Sequence, residues 1–301
     1  MLQSLKAIKN RIRSIENTRK VTSAMQMISA TKLSRLDSRL IQNRPFAREI
    51  ESILRNLLLG RPMSLNPFLE PRLSGERIVL CVITADNGLC GVYNNNVISQ
   101  AEDFISRRGR DKVKLVIVGK KGWSYFKNYR ENILHSYLGL SGRYSDKVCE
   151  ELLNNLTNLF LSKQADEIYF VYTRFKNALT NQVVIEKFLN IDPSTWFDCA
   201  HHKSLRTSIK PGEAKNEYII EPNISRVMEE LIPEYLAARV RLMLLEAFTS
   251  EHASRLVAMR TATENAKDLL NSLVLLRNKV RQASITREII EIVSAAEALK
   301  G

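Results

Sequence analysis

Two glycine-containing turns are the features of the sequence that come nearest to a binding site. DNGLCG, Asp86 to Gly91, and GKKG, Gly119 to Gly122, each follow a run of β-branched and apolar residues typical of a strand. Neither turn matches GxxxxGK[ST] or GxGxxG, the patterns that bring backbone amides up to a phosphate. We therefore predict tight strand-to-helix turns at both places and no bound cofactor.

The histidines lack partners at the spacing of a metal site or a catalytic triad. His135 lies in a predicted strand and His252 in a helical ladder, while His201 and His202 share a polar loop without Cys or carboxylate at ligand spacing. The carboxylates are scattered, and no Ser/His/Asp or Cys/His signature stands out. We expect no metal site and no catalytic residue, so the chain is not expected to be an enzyme.

The cysteines and the apolar runs indicate a reducing compartment and no membrane-spanning segment. Cys81, Cys90, Cys149 and Cys199 form no CxxC pair, and no signal peptide precedes them. Apolar runs such as IVLCVI and LVIV are far shorter than the roughly 20 residues of a transmembrane helix. We predict free thiols in the cytosol.

Positive charge is concentrated at the amino end of the chain. The 301 residues carry a net charge of +13, and residues 1–60 hold twelve Lys or Arg against four Asp or Glu. Residues 1–45 contain no Phe, Tyr or Trp, the side chains on which nucleic-acid bases stack. We expect no nucleic-acid partner; a basic nucleic-acid binder is kept as an alternative, and its affinity would fall steeply with salt.

Residues 1–60 are predicted to form one long coiled-coil helix. There is no Gly between Leu2 and Leu59, and apolar residues recur at spacings of three and four. Polar residues interrupt the middle of this seam, where Val21, Met25 and Ile28 form a neighbouring apolar stripe. Three prolines between Gly60 and Gly75 end the helix.

Residues 76–192 have a different pattern from the long helix before them. Short β-branched runs alternate with short amphipathic helices, which predicts a compact, partly parallel α/β domain. Residues 193–222 are polar and irregular and are predicted to form a connecting segment.

Residues 223–301 are predicted to form a second long helix. A strict ladder of three- and four-residue steps runs from Leu231 to Ser284, and Pro233 is expected to mark a bend or the start of the helix. At 1.5 Å per residue such a helix reaches on the order of 110 Å, too long to be buried in a globule of this size. Because the α/β domain lies between the two helices in sequence, we predict that they fold back on each other as an antiparallel coiled coil.

The carboxyl end does not fit a free-standing coiled coil. In ITREIIEIVSAAEAL apolar residues lie around most of the helix circumference, and a helix of that kind is buried on most sides. We expect a partner protein to surround this tip. The alternative is a small cap in which the tip folds against the N-terminal helix of the same chain.

Three stretches of the sequence closely resemble the gamma subunit of F-type ATP synthase, bacterial type. They are LKAIKNRIRSIENTRKVTSAMQMISATKL at the amino end, TADNGLCGVYNNN in the middle, and SEHASRLVAMRTATENA followed by NKVRQASITREIIEIVSAAEAL at the carboxyl end. The resemblance implies an α/β fold class, with a long antiparallel coiled coil of N- and C-terminal helices plus a central Rossmann-like α/β domain. It implies a non-catalytic rotor shaft that couples ion-driven rotation to ATP synthesis or hydrolysis.

The resemblance also implies the partners and the location. The paired helices would stand inside a hexamer of alpha and beta subunits, and the α/β domain would form a foot beside the epsilon subunit and the ring of c subunits. Association with the membrane would run only through the complex, at the cytoplasmic face of the bacterial plasma membrane.

Individual positions follow from the same resemblance. Contacts to the beta and alpha subunits fall on Met25, Arg255, Arg281, Gln282, Thr286 and Glu288, with Arg281 and Gln282 resembling the family's contacts to a beta-subunit loop. The bearing tip consists of Ile289, Ile290, Ile292, Val293 and Ala296, and Tyr218 matches a foot segment near the c ring. The sequence departs from the family pattern at Asn87, Val92 and Ala295. Setting the resemblance aside, the alternative is a structural coiled-coil tether whose α/β domain binds another protein.

Overall fold

A computed structural model of the protein describes residues 5–58, 66–70, 72, 76–178, 180–191, 220–221 and 223–298. The chain divides into two compact units, residues 1–30 with 255–301 and residues 31–254. We call them the smaller unit and the larger unit. Each contains part of both long helices. The predicted division into 1–60, 76–192, 193–222 and 223–301 follows element type instead and stays a prediction.

Two long helices flank a series of short elements. In chain order the elements are α1 (Leu5–Leu58), β1 (Ile78–Ile83), α2 (Tyr93–Arg108), β2 (Val113–Val118), α3 (Lys120–Phe126), β3 (Ile133–Tyr137), α4 (Asp146–Leu161), β4 (Glu167–Phe175), β5 (Asn181–Leu189) and α5 (Ile224–Ala298). Short 3-10 turns at Arg110–Lys112 and Lys127–Asn132 precede β2 and β3. The two predicted long helices and the strand that contains His135 are confirmed.

The sheet lies in the larger unit and has the strand order β3-β2-β1-β4-β5. The first four strands pair in parallel, and β5 pairs antiparallel with β4. All six residues of β1 are buried, as the uninterrupted apolar run IVLCVI requires of a central parallel strand. The predicted partly parallel α/β domain is confirmed.

Alternate residues of β1 enter two separate cores of the larger unit. Ile78, Leu80 and Val82 join the apolar faces of α2 and α3 on one side of the sheet. Val79, Cys81 and Ile83 join α4 and parts of both long helices on the other side. Because successive side chains of a strand point to opposite faces, one strand serves both layers.

The long helices run antiparallel within the smaller unit. Ile8 and Ile12 of α1 share an apolar cluster with Leu270 and Leu273 of α5. Further along, the hydroxyl of Thr263 donates to the hydroxyl of Thr22 at 2.8 Å. Positions of α5 fall as positions of α1 rise, which is the order that an antiparallel pair produces.

The ladder predicted for α5 coincides with its buried face. Every rung from Leu231 to Val280 is buried or half-buried, and Ser284 is the first exposed rung. Pro233 does not mark the start of α5, because the helix begins at Ile224 and Pro233 lies inside it. A proline inside a helix costs about 3 kcal/mol. Burial of the neighbouring Ile232 and Leu236 stabilises the helix on both sides of Pro233 and helps to offset that cost.

Candidate functional site

The carboxyl end of α5 is exposed along its whole described length. From Arg281 to Glu297 every residue is exposed, including the apolar residues expected to form the bearing tip. The exposed fractions are 55% for Ile289, 59% for Ile290, 69% for Ile292 and 55% for Val293, and Ala296 is exposed as well. Single exposed apolar residues are ordinary, but a contiguous run of this kind marks an interaction surface.

The apolar surface of the tip is wide but does not close around the helix. At 100° per residue, Ile285, Ile289, Ile290, Ile292 and Val293 lie within an arc of roughly 160°. Arg287 and Glu291 lie on the opposite flank. Ala295 extends the apolar positions to an arc of roughly 220°, so the described tip agrees with the expectation of apolar residues around most of the circumference and is polar only on the flank of Arg287 and Glu291. The self-capping alternative is not found either, because these apolar side chains are not covered by any described part of the chain.

Four of the predicted contact residues lie together where this apolar surface begins. Arg281, Gln282, Thr286 and Glu288 are all exposed within about two helical turns. The Thr286 hydroxyl donates to the backbone carbonyl of Gln282 at 3.0 Å, and Ser284 donates to the Glu288 carboxylate at 3.2 Å. The side chains of Arg281 and Gln282 are exposed on the surface of the helix, where their guanidinium and amide groups are available to a partner.

The other two predicted contact residues lie elsewhere. Arg255 is on the same helix as Arg281 but roughly 40 Å away along its axis, and its side chain is buried. Met25 is on α1 and is half-buried. Its apolar neighbours Val21 and Ile28 are more than half exposed, as is Met27. The six predicted contact residues therefore lie in three separate parts of the chain. Only the four around Arg281 form a cluster.

The turns at the carboxyl edge of the sheet are tightly packed. Gly119 has φ +99°, and a Cβ added there would lie 2.2 Å from the carbonyl oxygen of Thr84. The Thr84 hydroxyl in turn accepts a hydrogen bond from the Gly122 amide at 2.9 Å. Gly119 is the one residue between the end of β2 and the start of α3, which confirms the prediction of a tight turn at GKKG.

The turn after β1 carries two of the departures from the family pattern. Asn87 is exposed, Val92 is 66% exposed, and Leu89 between them is 61% exposed with φ +59°. The turn borders an open cleft of about 410 Å³ whose other side is formed by α3 residues including Lys121 and Tyr125. Ala295 is exposed at the tip. Tyr218, His201, His202 and Cys199 lie outside the described residues.

The remaining candidates for chemistry have structural surroundings. Cys81, Cys90 and Cys149 are free thiols and buried, and burial raises the pKa of Cys81 and of Cys149. His252 is buried against the carbonyl of Gly142. Within the described ranges, no three His, Cys, Asp or Glu side chains are grouped as metal ligands. No helix in those ranges has the length and apolarity needed to cross a bilayer.

A network of ion pairs in the larger unit was not predicted from the sequence. Arg44 of α1 pairs with Glu246 of α5 at 3.0 Å, and Arg174 of β4 approaches the other oxygen of Glu246. Arg174 and Arg239 both pair with Glu186 of β5. These five residues come from four elements. The sequence signal for the network was the presence of charged residues within otherwise apolar faces.

Comparison with known proteins supports one family. The family model described as ATP synthase matches residues 4–299. The chain is 35% identical to the ATP synthase gamma chain of Chloroherpeton thalassium, over 99% of both chains. It is 32% identical to that of Geotalea uraniireducens, over 100% of both. In fold it is similar to a chain from the Euglena gracilis mitochondrial ATP synthase, with a TM-score of 0.68 and 18% identity over 98% of this chain and 94% of that one.

Two long helices, one on each side of an α/β domain in the sequence, define a class of mixed α/β proteins. The relatives identify the class more closely: the chain belongs to the ATP synthase gamma chain family. It is accordingly a non-catalytic subunit of an ATP synthase complex.

Proposed function

We propose that this chain is the central rotor shaft of its ATP synthase. It couples ion-driven rotation of the c ring to ATP synthesis or hydrolysis in the catalytic beta subunits. The observation that supports this most directly is the end of α5, where seventeen consecutive residues from Arg281 to Glu297 are exposed although large apolar side chains are prominent among them. A contiguous apolar surface of this kind marks a site where another protein binds, because burial of apolar area is favourable.

The apolar part of the tip acts as a bearing inside the hexamer of alpha and beta subunits. Ile289, Ile290, Ile292, Val293 and Ala296 provide its contacts. Burial of apolar area contributes about 25 cal/mol per Å² and has no preferred direction. A helix held in this way is retained in its seat yet meets little resistance to rotation.

The polar residues before the tip distinguish one orientation of the shaft from another. Arg281 and Gln282 offer hydrogen bonds and charge to a beta-subunit loop, with Thr286 and Glu288 one and two turns further on. Met25, which is half-buried, provides a contact at another height of the shaft, whereas the buried side chain of Arg255 would have to become accessible in the complex to do so. Hydrogen bonds depend on direction, so a contact made in one orientation is broken in the next. A shaft orientation shifts the affinity of a nucleotide site only if it contacts the conformations of that site differently.

The α/β domain is the foot of the shaft. It contacts the epsilon subunit and the c ring, and Tyr218 belongs to a segment near the ring. The complex places the chain at the cytoplasmic face of a bacterial plasma membrane as a peripheral subunit. The chain has no nucleic-acid partner and binds no cofactor of its own; the nucleotides belong to the beta and alpha subunits.

Reconstitution tests this proposal. The chain is co-expressed with the alpha and beta subunits of the same organism, and the products are separated by gel filtration and assayed for Mg-ATP hydrolysis. We expect one complex with a single copy of this chain and a steady hydrolysis rate that is lost without it. A chain that stays apart as a stable dimer would instead support the coiled-coil tether.

A further inference from the structure

Asp86 joins three turns at the carboxyl edge of the sheet. Its Oδ1 accepts hydrogen bonds from the backbone amides of Lys120 at 2.9 Å and Gly139 at 3.0 Å, and its Oδ2 accepts one from the amide of Ser141 at 2.5 Å. The side chain is 8% exposed. Hydrogen bonds to a charged acceptor are about twice as strong as neutral ones, so the loop after β3 is held firmly to the ends of β1 and β2.

The same loop, residues 138–143, binds both long helices through its carbonyls. We call it the edge loop. Lys32 of α1 donates from Nζ to the carbonyl oxygen of Ser141 at 3.2 Å. Nε2 of His252 in α5 lies 3.1 Å from the carbonyl oxygen of the next residue, Gly142. Backbone amides of the edge loop thus bind the Asp86 carboxylate at the edge of the sheet. Two consecutive carbonyls of the same loop, those of Ser141 and Gly142, contact the two helices.

Three residues of the edge loop have positive φ, and one of them, Ser141, is not a glycine. Gly139 has φ +85°, Ser141 +50° and Gly142 +64°. A left-handed backbone costs Ser141 roughly 1 kcal/mol or more, which the surrounding hydrogen bonds must offset. At Gly142 an added Cβ would lie 2.5 Å from Nε2 of His252, so the loop backbone is in close contact with α5.

We propose that the edge loop is a torque-bearing joint between the α/β domain and both shaft helices, with Asp86, Lys32 and His252 as its positioning residues. This inference rests on the proposed rotor function. Elsewhere the helices are joined to the sheet by close apolar packing and by hydrogen bonds such as those of Arg44 and Ser250 with β4 carbonyls. The edge loop adds a directional contact to each of the two helices from one rigid point, which is the property that a torque-bearing joint requires.

Two sets of variants test the joint in the complete membrane complex reconstituted in vesicles. Lys32→Met with His252→Leu removes both helix contacts and leaves Asp86 in place, whereas Lys32→Arg with His252→Gln restores a donor at both positions. ATP hydrolysis and ATP-driven ion transport are measured on the same vesicles. We expect ion transport per ATP hydrolysed to fall about threefold in the first pair and to return in the second.

Hydrogen exchange of the complex provides the structural readout. In Lys32→Met with His252→Leu, the peptide covering the edge loop should exchange about tenfold faster, while peptides of β1 and β2 stay unchanged. Asp86→Ala should likewise lower ion transport per ATP hydrolysed and speed exchange of the edge loop. Asp103→Ala, an exposed aspartate of α2, is the matched control and should give neither.

The outcomes separate the joint from the rotor proposal. Faster exchange of the edge loop with an unchanged transport ratio would overturn the torque-bearing role, and unchanged exchange would overturn the contacts themselves. If Asp86→Ala prevents assembly, Lys32→Met alone is used to compare edge-loop exchange with the transport ratio. If vesicles prepared without this chain hydrolysed ATP as fast as wild-type vesicles, the rotor proposal would be contradicted, independently of the joint.

Discussion

Arg44 and Glu246, separated by 202 positions in sequence, form an ion pair of 3.0 Å between the two long helices of the larger unit. The Glu246 side chain is only 7% exposed, and the guanidinium of Arg44 also donates to the carbonyl of Phe175 at the end of β4. A charge buried to this extent is tolerated when its partners are in place and is costly when they are removed. The pair therefore fixes the register of α1 against α5 more than it adds stability.

Removing one partner should cost more than removing both. We expect Glu246→Leu to lower the free energy of unfolding by about 2 kcal/mol, because Arg44 then loses its carboxylate in a half-buried site. Arg44→Met combined with Glu246→Leu should recover about half of that loss. Urea unfolding of the full chain measures both variants and Arg44→Met alone. Additive effects of the two single changes would contradict the coupling.

The protonation of Glu246 gives a prediction about pH. Burial raises the pKa of Glu246 above its ordinary 4.5, and this effect outweighs the opposing influence of Arg44 and Arg174. Between 4.5 and the raised pKa the folded chain binds more protons at this site than the unfolded chain, so its contribution to stability decreases as pH rises.

Glu246→Gln removes this titration and serves as the matched comparison. The stability of the wild type relative to Glu246→Gln should be greatest near pH 4 and should decrease as the pH is raised above 4.5 towards neutrality. Free energies of unfolding of both full-length chains across this range provide the measurement. A difference that grows with pH would mean that the arginines, not burial, dominate the pKa.

The sequence predicted what depends on periodic burial and missed what depends on pairing across the fold. The ladder of α5 was predictable because each rung, from Leu231 to Val280, faces the same side of one helix and is shielded there. The strand IVLCVI was predictable because both its faces are covered. Arg44 with Glu246 follows no local pattern, since their meeting depends on the packing of two helices that are far apart in sequence.

The candidate site divides in the same way. The apolar tip was visible as a dense set of isoleucines, yet the structure places Arg287 and Glu291 opposite them and leaves the whole surface exposed. Asp86 was visible only as the first residue of a glycine turn. Its role depends on the amides of three turns that meet because parallel strands end at one edge, which spacing along the chain does not reveal.

Arg281 and Gln282 provide a test of the orientation-specific contacts. Both side chains are exposed and contribute little to the stability of the chain, so Arg281→Ala with Gln282→Ala should leave folding and assembly intact. Loss of charge-assisted hydrogen bonds to the beta subunit should lower Mg-ATP hydrolysis by the complex about tenfold. Lys279→Ala, an exposed cation on the same helix, is the control. Full activity of the double variant would refute the assigned role.

The tip offers the sharpest separation between assembly and catalysis. Ile289→Asp with Val293→Asp puts two charges on adjacent turns of the apolar arc, where both side chains are 55% exposed in the chain alone. The chain should therefore fold as before, with an unchanged circular dichroism spectrum and melting temperature. In the bearing, however, each carboxylate would be buried without a partner, at a cost of several kcal/mol.

We therefore expect the yield of complex with the alpha and beta subunits to fall at least about tenfold for Ile289→Asp with Val293→Asp. Arg287→Asp with Glu291→Asp places one additional acidic side chain on the opposite flank, outside the apolar arc, and should assemble more completely. Gel filtration of co-expressed subunits compares the two. Equal assembly of both variants would mean that the isoleucine surface remains in water, and the bearing would then have to lie elsewhere on the shaft.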